Sequence, residues 1–193
     1  PLGRPARHPG HAASQGKKRP HVSQHFFVGP NLMYLQGSDP MLAQLRARSE
    51  ALLRRAGRVT LQPPVKKNGR VTLPVKVANI GAGHNLPTGV TEIREMWLEV
   101  RVRDAAGKVR YHSGDLDARG DLKPGAVVYK TTVYDKDGKD TTLFWNTVKK
   151  GRDYRIPPRS HVVERFVLPA GLRGRVTVEA RLRYRSIAPR GLR

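Results

Sequence analysis

The stretch WLEVRVRDAAGKVRYHS, residues 97–113, decides the fold class of this chain. Apolar residues occupy every second position from Leu98 to Val102 and alternate with charged residues, a period typical of a β-strand with one buried face. Residues 105–108, Ala-Ala-Gly-Lys, favour a tight turn, and residues 108–113 supply a returning strand. The stretch therefore predicts an antiparallel hairpin.

The same alternation recurs on both sides of this hairpin. The further candidate strands are residues 58–62, 71–78, 126–134, 141–146, 161–168 and 176–184. Seven or eight antiparallel strands, each with one apolar face, predict two sheets packed face to face. We therefore predict an all-β fold, an immunoglobulin-like antiparallel β-sandwich over residues 58–188.

Two segments of different composition precede the predicted sandwich. Residues 1–37 are rich in His, Pro, Gly and basic residues and have no periodicity, which predicts an extended arm. Residues 38–57 predict an amphipathic α-helix, because Ser38 or Asp39 can cap it and leucines recur at helical spacing. Residues 189–193 are expected to form a basic tail.

The charge of the chain is strongly positive. Its 193 residues include 37 Lys and Arg against 15 Asp and Glu, which gives a net charge of +22. Such a charge favours an acidic protein, an anionic lipid or a nucleic acid as partner. The basic residues are scattered, and no helix-turn-helix, zinc-finger or aromatic RNA-binding pattern is present, so nucleic-acid binding is the weaker alternative. No apolar run approaches the roughly 20 residues of a membrane helix.

The composition also excludes several kinds of chemistry. The sequence contains no cysteine, which excludes disulfides, thiolate zinc sites and covalent attachment of haem to this chain. No nucleophile–base arrangement or Gly-x-Ser-x-Gly elbow is present, so we expect no catalytic activity. Because the chain begins with Pro1 and not Met, we expect a processed protein or a fragment, in which a targeting segment would no longer be visible.

One acidic segment has two interpretations. Asp135, Asp137 and Asp140 form the pattern Asp-x-Asp-Gly-x-Asp, and oxygen-rich loops of this kind bind calcium. The downstream bidentate Glu of an EF-hand is missing, and the flanking candidate strands favour a hairpin turn. Calcium is therefore the weaker interpretation.

Residues 79–89, NIGAGHNLPTG, interrupt the alternating segments with three glycines, one proline and one histidine. Glycine permits close backbone approach and proline fixes φ, so this is a shaped loop. His84 on this loop can ligate a metal, titrate near neutral pH or hydrogen-bond the backbone. In the arm, His25 stands beside Phe26 and Phe27, whose apolar rings would suit a porphyrin face.

Several segments together resemble the C-terminal β-sandwich module of certain multihaem c-type cytochromes. These segments are the loop NIGAGHNLPTG with the following TEIREMWLEVRVRDAAGKVRYHSG, the arm segment HFFVGPN and the final ARLRYRS. The resemblance covers about residues 21–187. It implies an extracytoplasmic protein of electron transport, periplasmic or extracellular, that works with heme c. The residues it implies at the haem are the ligand candidates His25, His21 and His84 and the contact candidates Phe26, Phe27 and Asn31.

The chain departs from that family because it lacks every Cys-x-x-Cys-His motif. We therefore expect a non-catalytic accessory subunit or C-terminal module, with the haems held by a cytochrome c subunit or by an upstream cytochrome domain. Among the ligand candidates we favour His25, with His21 second, and we expect His84 to fix its loop. The alternatives are a haem-independent structural β-sandwich that binds an acidic protein and a basic nucleic-acid-binding protein.

Overall fold

The structure is a computed structural model that describes residues 8–11, 14–22, 29 and 36–189, with only the backbone at positions 8, 21 and 22. The elements in chain order are β1 (His8–His11), β2 (Lys18–Val22), α1 (Pro40–Ala56), β3 (Gly57–Leu61), β4 (Val65–Lys67), β5 (Arg70–Asn79), β6 (Glu95–Arg103), β7 (Val109–Ser113), β8 (Val127–Tyr129), β9 (Thr131–Tyr134), β10 (Lys149–Asp153), β11 (His161–Val167) and β12 (Thr177–Arg185). Across the described ranges, no helix has the length and apolar character needed to cross a membrane.

Two four-stranded antiparallel sheets form the body of the molecule. Strand β5 is the centre of the first sheet, with β11 along one edge and β3 and β4 sharing the other. Strand β6 is the centre of the second sheet, with β12 along one edge and β7 and β8 sharing the other. Strands β9 and β10 pair separately. The prediction of an all-β antiparallel sandwich is confirmed.

The core lies between the two central strands. Its buried residues from β5 and β6 are Leu73, Val75, Val77, Met96, Leu98, Val100 and Val102. Most of them stand at every second position, so one face of each strand is directed at the opposite sheet. Full burial of a Val or Leu side chain stabilises a protein by about 1.5–3 kcal/mol. The apolar residues that alternate with polar ones in the sequence of β5 and β6 are therefore the residues that form the core.

Helix α1 has a side-chain cap at its amino-terminal end and basic residues at its carboxyl end. The side chain of Asp39 accepts a hydrogen bond from the backbone N–H of Met41 at 2.7 Å, so the predicted N-terminal cap forms. Arg54 and Arg55 lie in the last turn, where the helix dipole favours cations. The chain continues directly from the helix into β3 at Gly57, which places the helix end beside the first sheet.

Four segments differ from the sequence-based expectation. The segment expected to be an extended arm contains the antiparallel pair β1 and β2. The strand predicted at 141–146 is wrong, because residues 144–146 form a turn of 3-10 helix and the partner of β9 is β10. Strands β4 and β10 were not predicted because they are short and largely exposed, and no alternating apolar face marks them.

The acidic segment forms a tight turn. One carboxylate oxygen of Asp135 accepts hydrogen bonds from the backbone N–H groups of Asp137 and Lys139, each at 2.9 Å. Asp140 forms an ion pair with Lys130 at 2.9 Å. Nowhere among the described residues do three or more His, Asp or Glu side chains form a group that would hold a metal ion. The hydrogen bonds to Asp135 support the hairpin-turn interpretation of this segment.

Candidate functional site

The glycine-rich loop 79–89 closes the carboxyl end of α1. The backbone N–H groups of Ile80 and Gly81 both donate to the carbonyl oxygen of Ala56, at 3.1 and 3.2 Å. These bonds satisfy an acceptor that the end of a helix leaves open. A Cβ atom at Gly81 would collide with the carbonyl oxygen of Arg55, a backbone atom with little freedom to move. The absence of a side chain at this position therefore lets the loop lie directly on the helix end.

Asn79, at the start of the loop, holds it through its side chain. Its Nδ2 donates to the carbonyl oxygens of His84 at 2.8 Å and Ile156 at 3.0 Å, and its Oδ1 accepts from the backbone N–H of Ala82 at 3.1 Å. The residue is only 1% exposed. Further along, Leu86 and Ile156 exchange two backbone hydrogen bonds of 2.9 Å. The loop is thus fixed at both ends.

An apolar pocket of about 370 Å³ opens between this loop, the end of α1 and strands β6 and β12; we call it the loop pocket. Its apolar lining includes Leu52, Leu53, Leu86, Met96 and Leu182. Its polar lining consists of Arg54, His84, Thr88, Arg94 and Tyr184. A concave, mostly apolar site with a few polar groups is the usual form of a small-molecule or cofactor site.

His84 stands exposed at the loop pocket. Its Nδ1 lies 3.0 Å from the carbonyl oxygen of Asn85. Because a carbonyl oxygen only accepts, this hydrogen bond requires the proton on Nδ1 and leaves Nε2 of the neutral ring with its lone pair. A hydrogen bond on the opposite ring nitrogen is also how metal-ligating histidines are oriented. Asn79 and Arg94 also hold the loop through side-chain hydrogen bonds to its backbone.

The other predicted site residues are placed as follows. His25, Phe26, Phe27 and Asn31 lie outside the described residues, so the structure does not locate them. His21 lies in β2, where only the backbone is described. Of the six candidates, the structure therefore locates the side chain of His84 alone, at the loop pocket.

A second polar cluster lies on the outer face of β6 and its neighbours, beside an open hollow of about 600 Å³. Glu99, 7% exposed, accepts from Arg183 Nε at 2.7 Å and Arg101 Nη2 at 3.0 Å, and lies 3.1 Å from Nε2 of His112. Burial alone would raise the pKa of Glu99, but hydrogen bonds from Arg183 and His112 and the charges of both arginines hold it below its usual value. The cluster thus links strands β6, β7 and β12 through an ionised carboxylate.

Sequence reasoning missed Asn79 and Glu99. For Asn79 a local signal exists, since an Asn at the start of a glycine-rich loop often hydrogen-bonds nearby backbone groups. For Glu99 no local signal exists, because Arg183 stands 84 positions away along the chain. Only the pairing of β6 with β12 brings the two together.

No family model matches this chain, and no curated protein matches it. Among solved structures, the fold is similar to part of a penta-heme cytochrome c552 from Thermochromatium tepidum, with 23% sequence identity and a TM-score of 0.57. The match covers 73% of this chain and 34% of the cytochrome chain, so it spans about a third of the length of that protein. The chain therefore has a fold that also occurs within a multihaem cytochrome.

Proposed function

We propose that this chain is a non-catalytic module of a multihaem electron-transfer assembly, and that it gives a haem held elsewhere a protein cover and a histidine ligand. The observation that carries this proposal is the loop pocket with His84 beside it, whose Nδ1 lies within hydrogen-bond distance of a backbone carbonyl oxygen. The fold shared with part of a penta-heme cytochrome supports it. The haem would supply one-electron transfer, and this chain would supply the surroundings of the haem.

The residues of the loop pocket fit such a group. Apolar side chains such as Leu53 and Leu182 exclude water from a porphyrin face, and a neutral imidazole is a common axial ligand of haem iron. Since the sequence contains no cysteine, the covalent attachment has to come from a cytochrome subunit or from another domain of the same protein. Whether the haem is attached to a separate subunit or to another domain, the proposed role of this chain is the same.

The charges beside the loop pocket also suit a haem. The side chain of Arg54 is 82% exposed and pairs with Glu50 at 3.6 Å, and Arg94 lines the pocket while donating to the carbonyl oxygen of Thr88. Guanidinium groups bind carboxylates such as haem propionates. Positive charge near the iron disfavours the ferric state, which carries one more positive charge than the ferrous state. The net charge of +22 is thus expected to raise the potential of a nearby haem.

Two histidines are the ligand candidates that this proposal tests. His84 has the geometry described above, and His25 stays the candidate that the sequence favours. We place the protein in the periplasm or outside the cell, since the multihaem cytochromes it resembles are extracytoplasmic. Its partner is a cytochrome c subunit or cytochrome domain with an acidic surface, which complements the charge of this chain.

The test uses the intact assembly that contains this chain. The variants are His84→Ala, His25→Ala and, as a matched control, His161→Ala, which removes an exposed histidine from the start of β11. We expect one ligand variant to convert one low-spin haem to high spin in the visible and electron paramagnetic resonance spectra, and the control to change nothing. If both ligand variants leave the low-spin signals and the potentials unchanged, the ligand role is refuted.

One observation favours a second candidate function, a haem-independent module that binds an acidic protein. A pair of aromatic side chains, Phe144 and Trp145, is exposed on a loop remote in sequence from the residues of the loop pocket. A visible spectrum of the purified assembly separates the two functions, because only the first requires a haem in contact with this chain.

A further inference from the structure

The segment between β9 and β10 exposes an unusual amount of apolar surface. Its exposed side chains are Leu143 (41%), Phe144 (63%), Trp145 (67%) and Val148 (67%); we call them the Trp145 patch. Single exposed apolar residues are ordinary, but four within six positions, two of them with rings in contact, concentrate apolar surface in one segment. Concentrated exposed apolar surface in soluble proteins marks an interaction site.

The Trp145 patch is held in place and not merely exposed. Two backbone hydrogen bonds join the ends of the segment to β9. Thr141 N donates to the carbonyl oxygen of Val133 at 3.0 Å, and Val148 N donates to the carbonyl oxygen of Tyr134 at 2.9 Å. Within the turn, Asn146 N donates to the carbonyl of Leu143 at 2.9 Å. A surface that is already ordered loses less conformational entropy on binding.

The two rings support each other in this exposed position. The centroids of Phe144 and Trp145 are 4.9 Å apart with an interplanar angle of 82°, an edge-to-face arrangement. In protein interfaces, Trp is among the residues that most often account for a large share of the binding energy. The pair thus has the composition and the fixed geometry of an interface anchor.

The charges near the patch indicate what its partner looks like. Lys139 on the preceding turn and Lys149 in β10 are exposed, and neither has an ion-pair partner among the residues that the structure describes. Carboxylates are interspersed with these lysines: Asp135, Asp137 and Asp140 lie on the turn and Asp153 in β10. The segments that flank the patch therefore carry charges of both signs, and among the described residues Lys139 and Lys149 have no ion-pair partner.

We propose that the Trp145 patch is the docking surface for an acidic protein, with Trp145 inserted into an apolar pocket of that protein and Lys139 and Lys149 facing its carboxylates. A second copy of this chain is disfavoured, since two chains of charge +22 repel each other. An anionic bilayer or a nucleic acid presents net charge of one sign and does not match the interspersed aspartates. A protein surface can match a rim of mixed sign.

This inference deepens the second candidate function and rests on it, because it names the surface that would bind an acidic protein; it does not depend on the haem-ligand role. The Trp145 patch shares no residue with the loop pocket, so docking and haem ligation are separable by mutation. Loss of docking in a Trp145 variant with unchanged haem spectra would leave the proposed function intact. Unchanged docking in a His84 variant with altered spectra would leave the docking surface intact.

The first experiment identifies what touches the patch. The photo-reactive residue p-benzoylphenylalanine is placed at position 145, or at Val167 as a control, in the full chain within its native cells, and the cross-linked peptides are sequenced. Val167 is an exposed apolar residue of β11, 53% exposed. We expect position 145 to cross-link to one protein, at a peptide that combines Asp or Glu with apolar residues. Cross-links from 145 to a second copy of this chain, or yields equal to those from 167, would overturn the proposal.

The second experiment measures the affinity of the purified chain for the purified protein so identified. We expect Trp145→Ala to weaken binding about tenfold or more. Lys139→Glu with Lys149→Glu is expected to slow association and reduce its salt dependence, while the same charge change at Lys66 and Lys67 of β4 has little effect.

Three outcomes of these measurements would overturn the proposal. They are unchanged affinity of the Trp145→Ala chain with an intact circular dichroism spectrum, binding to vesicles of phosphatidylcholine and phosphatidylglycerol that requires Trp145, and binding to duplex DNA that requires Trp145. Phe144→Ser serves as an independent second variant, since 63% of Phe144 is exposed and its replacement leaves the core unchanged.

Discussion

Replacing Asn79 by alanine removes three hydrogen bonds that hold the glycine-rich loop. The side chain donates to two carbonyl oxygens and accepts from one backbone N–H at 2.8–3.1 Å, and the residue is 1% exposed. A hydrogen bond of this kind contributes about 0.5–1.5 kcal/mol net, and water cannot fully replace buried partners. We therefore expect the free energy of unfolding to fall by about 3 kcal/mol, which for a chain of this size lowers Tm by roughly 6–12 °C.

Urea denaturation followed by circular dichroism measures this loss, and amide hydrogen exchange at Ala82 shows whether the loop itself has opened. The matched control is Asn85→Ala in the same loop, because the side chain of Asn85 makes no hydrogen bond among the residues that the structure describes. We expect the control to lie within about 0.5 kcal/mol of the wild type. A loss below about 0.5 kcal/mol for Asn79→Ala, or equal losses for the two variants, would refute the assignment of loop fixing to Asn79.

Three further predictions concern stability. Gly81→Ala places a Cβ against the carbonyl oxygen of Arg55 and should lower the free energy of unfolding, measured by urea denaturation, by about 1–3 kcal/mol. The control Gly83→Ala, whose Cβ would meet nothing within 4 Å, should lower it much less. Equal losses for the two variants would contradict the close packing of the loop on the helix. Glu99→Gln should destabilise the fold by about 2 kcal/mol at neutral pH. Since the pKa of Glu99 is lower in the folded state, its contribution is present above about pH 4 and is lost as the pH falls, so the two unfolding curves should converge in acid; a constant difference would contradict the ionised cluster. Burial and the hydrogen bond to a neighbouring carboxylate raise the pKa of Tyr154 to about 12, so the folded state retains its proton longer than the unfolded state and stability should fall between about pH 10 and 12. Tyr154→Phe should reduce this loss of stability at high pH. An unchanged dependence of stability on pH would contradict the burial and hydrogen bonding of the Tyr154 hydroxyl.

The parts of the fold that were predictable from the sequence are those whose side chains alternate between core and surface. Strands β5, β6 and β12 each carry such a pattern, and β5 and β6 supply the centre of the core. Strands β4 and β10 are short edge strands with largely exposed side chains, so no periodic apolar signal marks them. The apolar run at 141–146 suggested a strand, but its aromatic side chains are exposed to solvent. A hydrophobicity pattern alone does not distinguish exposed apolar residues from buried ones.

The candidate site was predictable in part for a similar reason. Glycine and proline marked residues 79–89 as a shaped loop, and that signal is local. The loop pocket is not local, because it is completed by α1, β6 and β12, which meet only in the folded chain. The same holds for the Glu99 cluster, whose members come from different strands. Local backbone conformation depends on residues that are neighbours in the sequence, whereas a pocket depends on the packing of residues that are distant in the sequence.

The spin state of the haems in the intact assembly tests the central claim most directly. The measurement is the electron paramagnetic resonance spectrum of the assembly with wild-type chain and with the double variant His25→Ala and His84→Ala. The proposed ligand role predicts that the double variant loses one low-spin signal and gains a high-spin signal, while the assembly and the fold of the chain remain intact. A double variant whose haems all remain low spin would contradict that role.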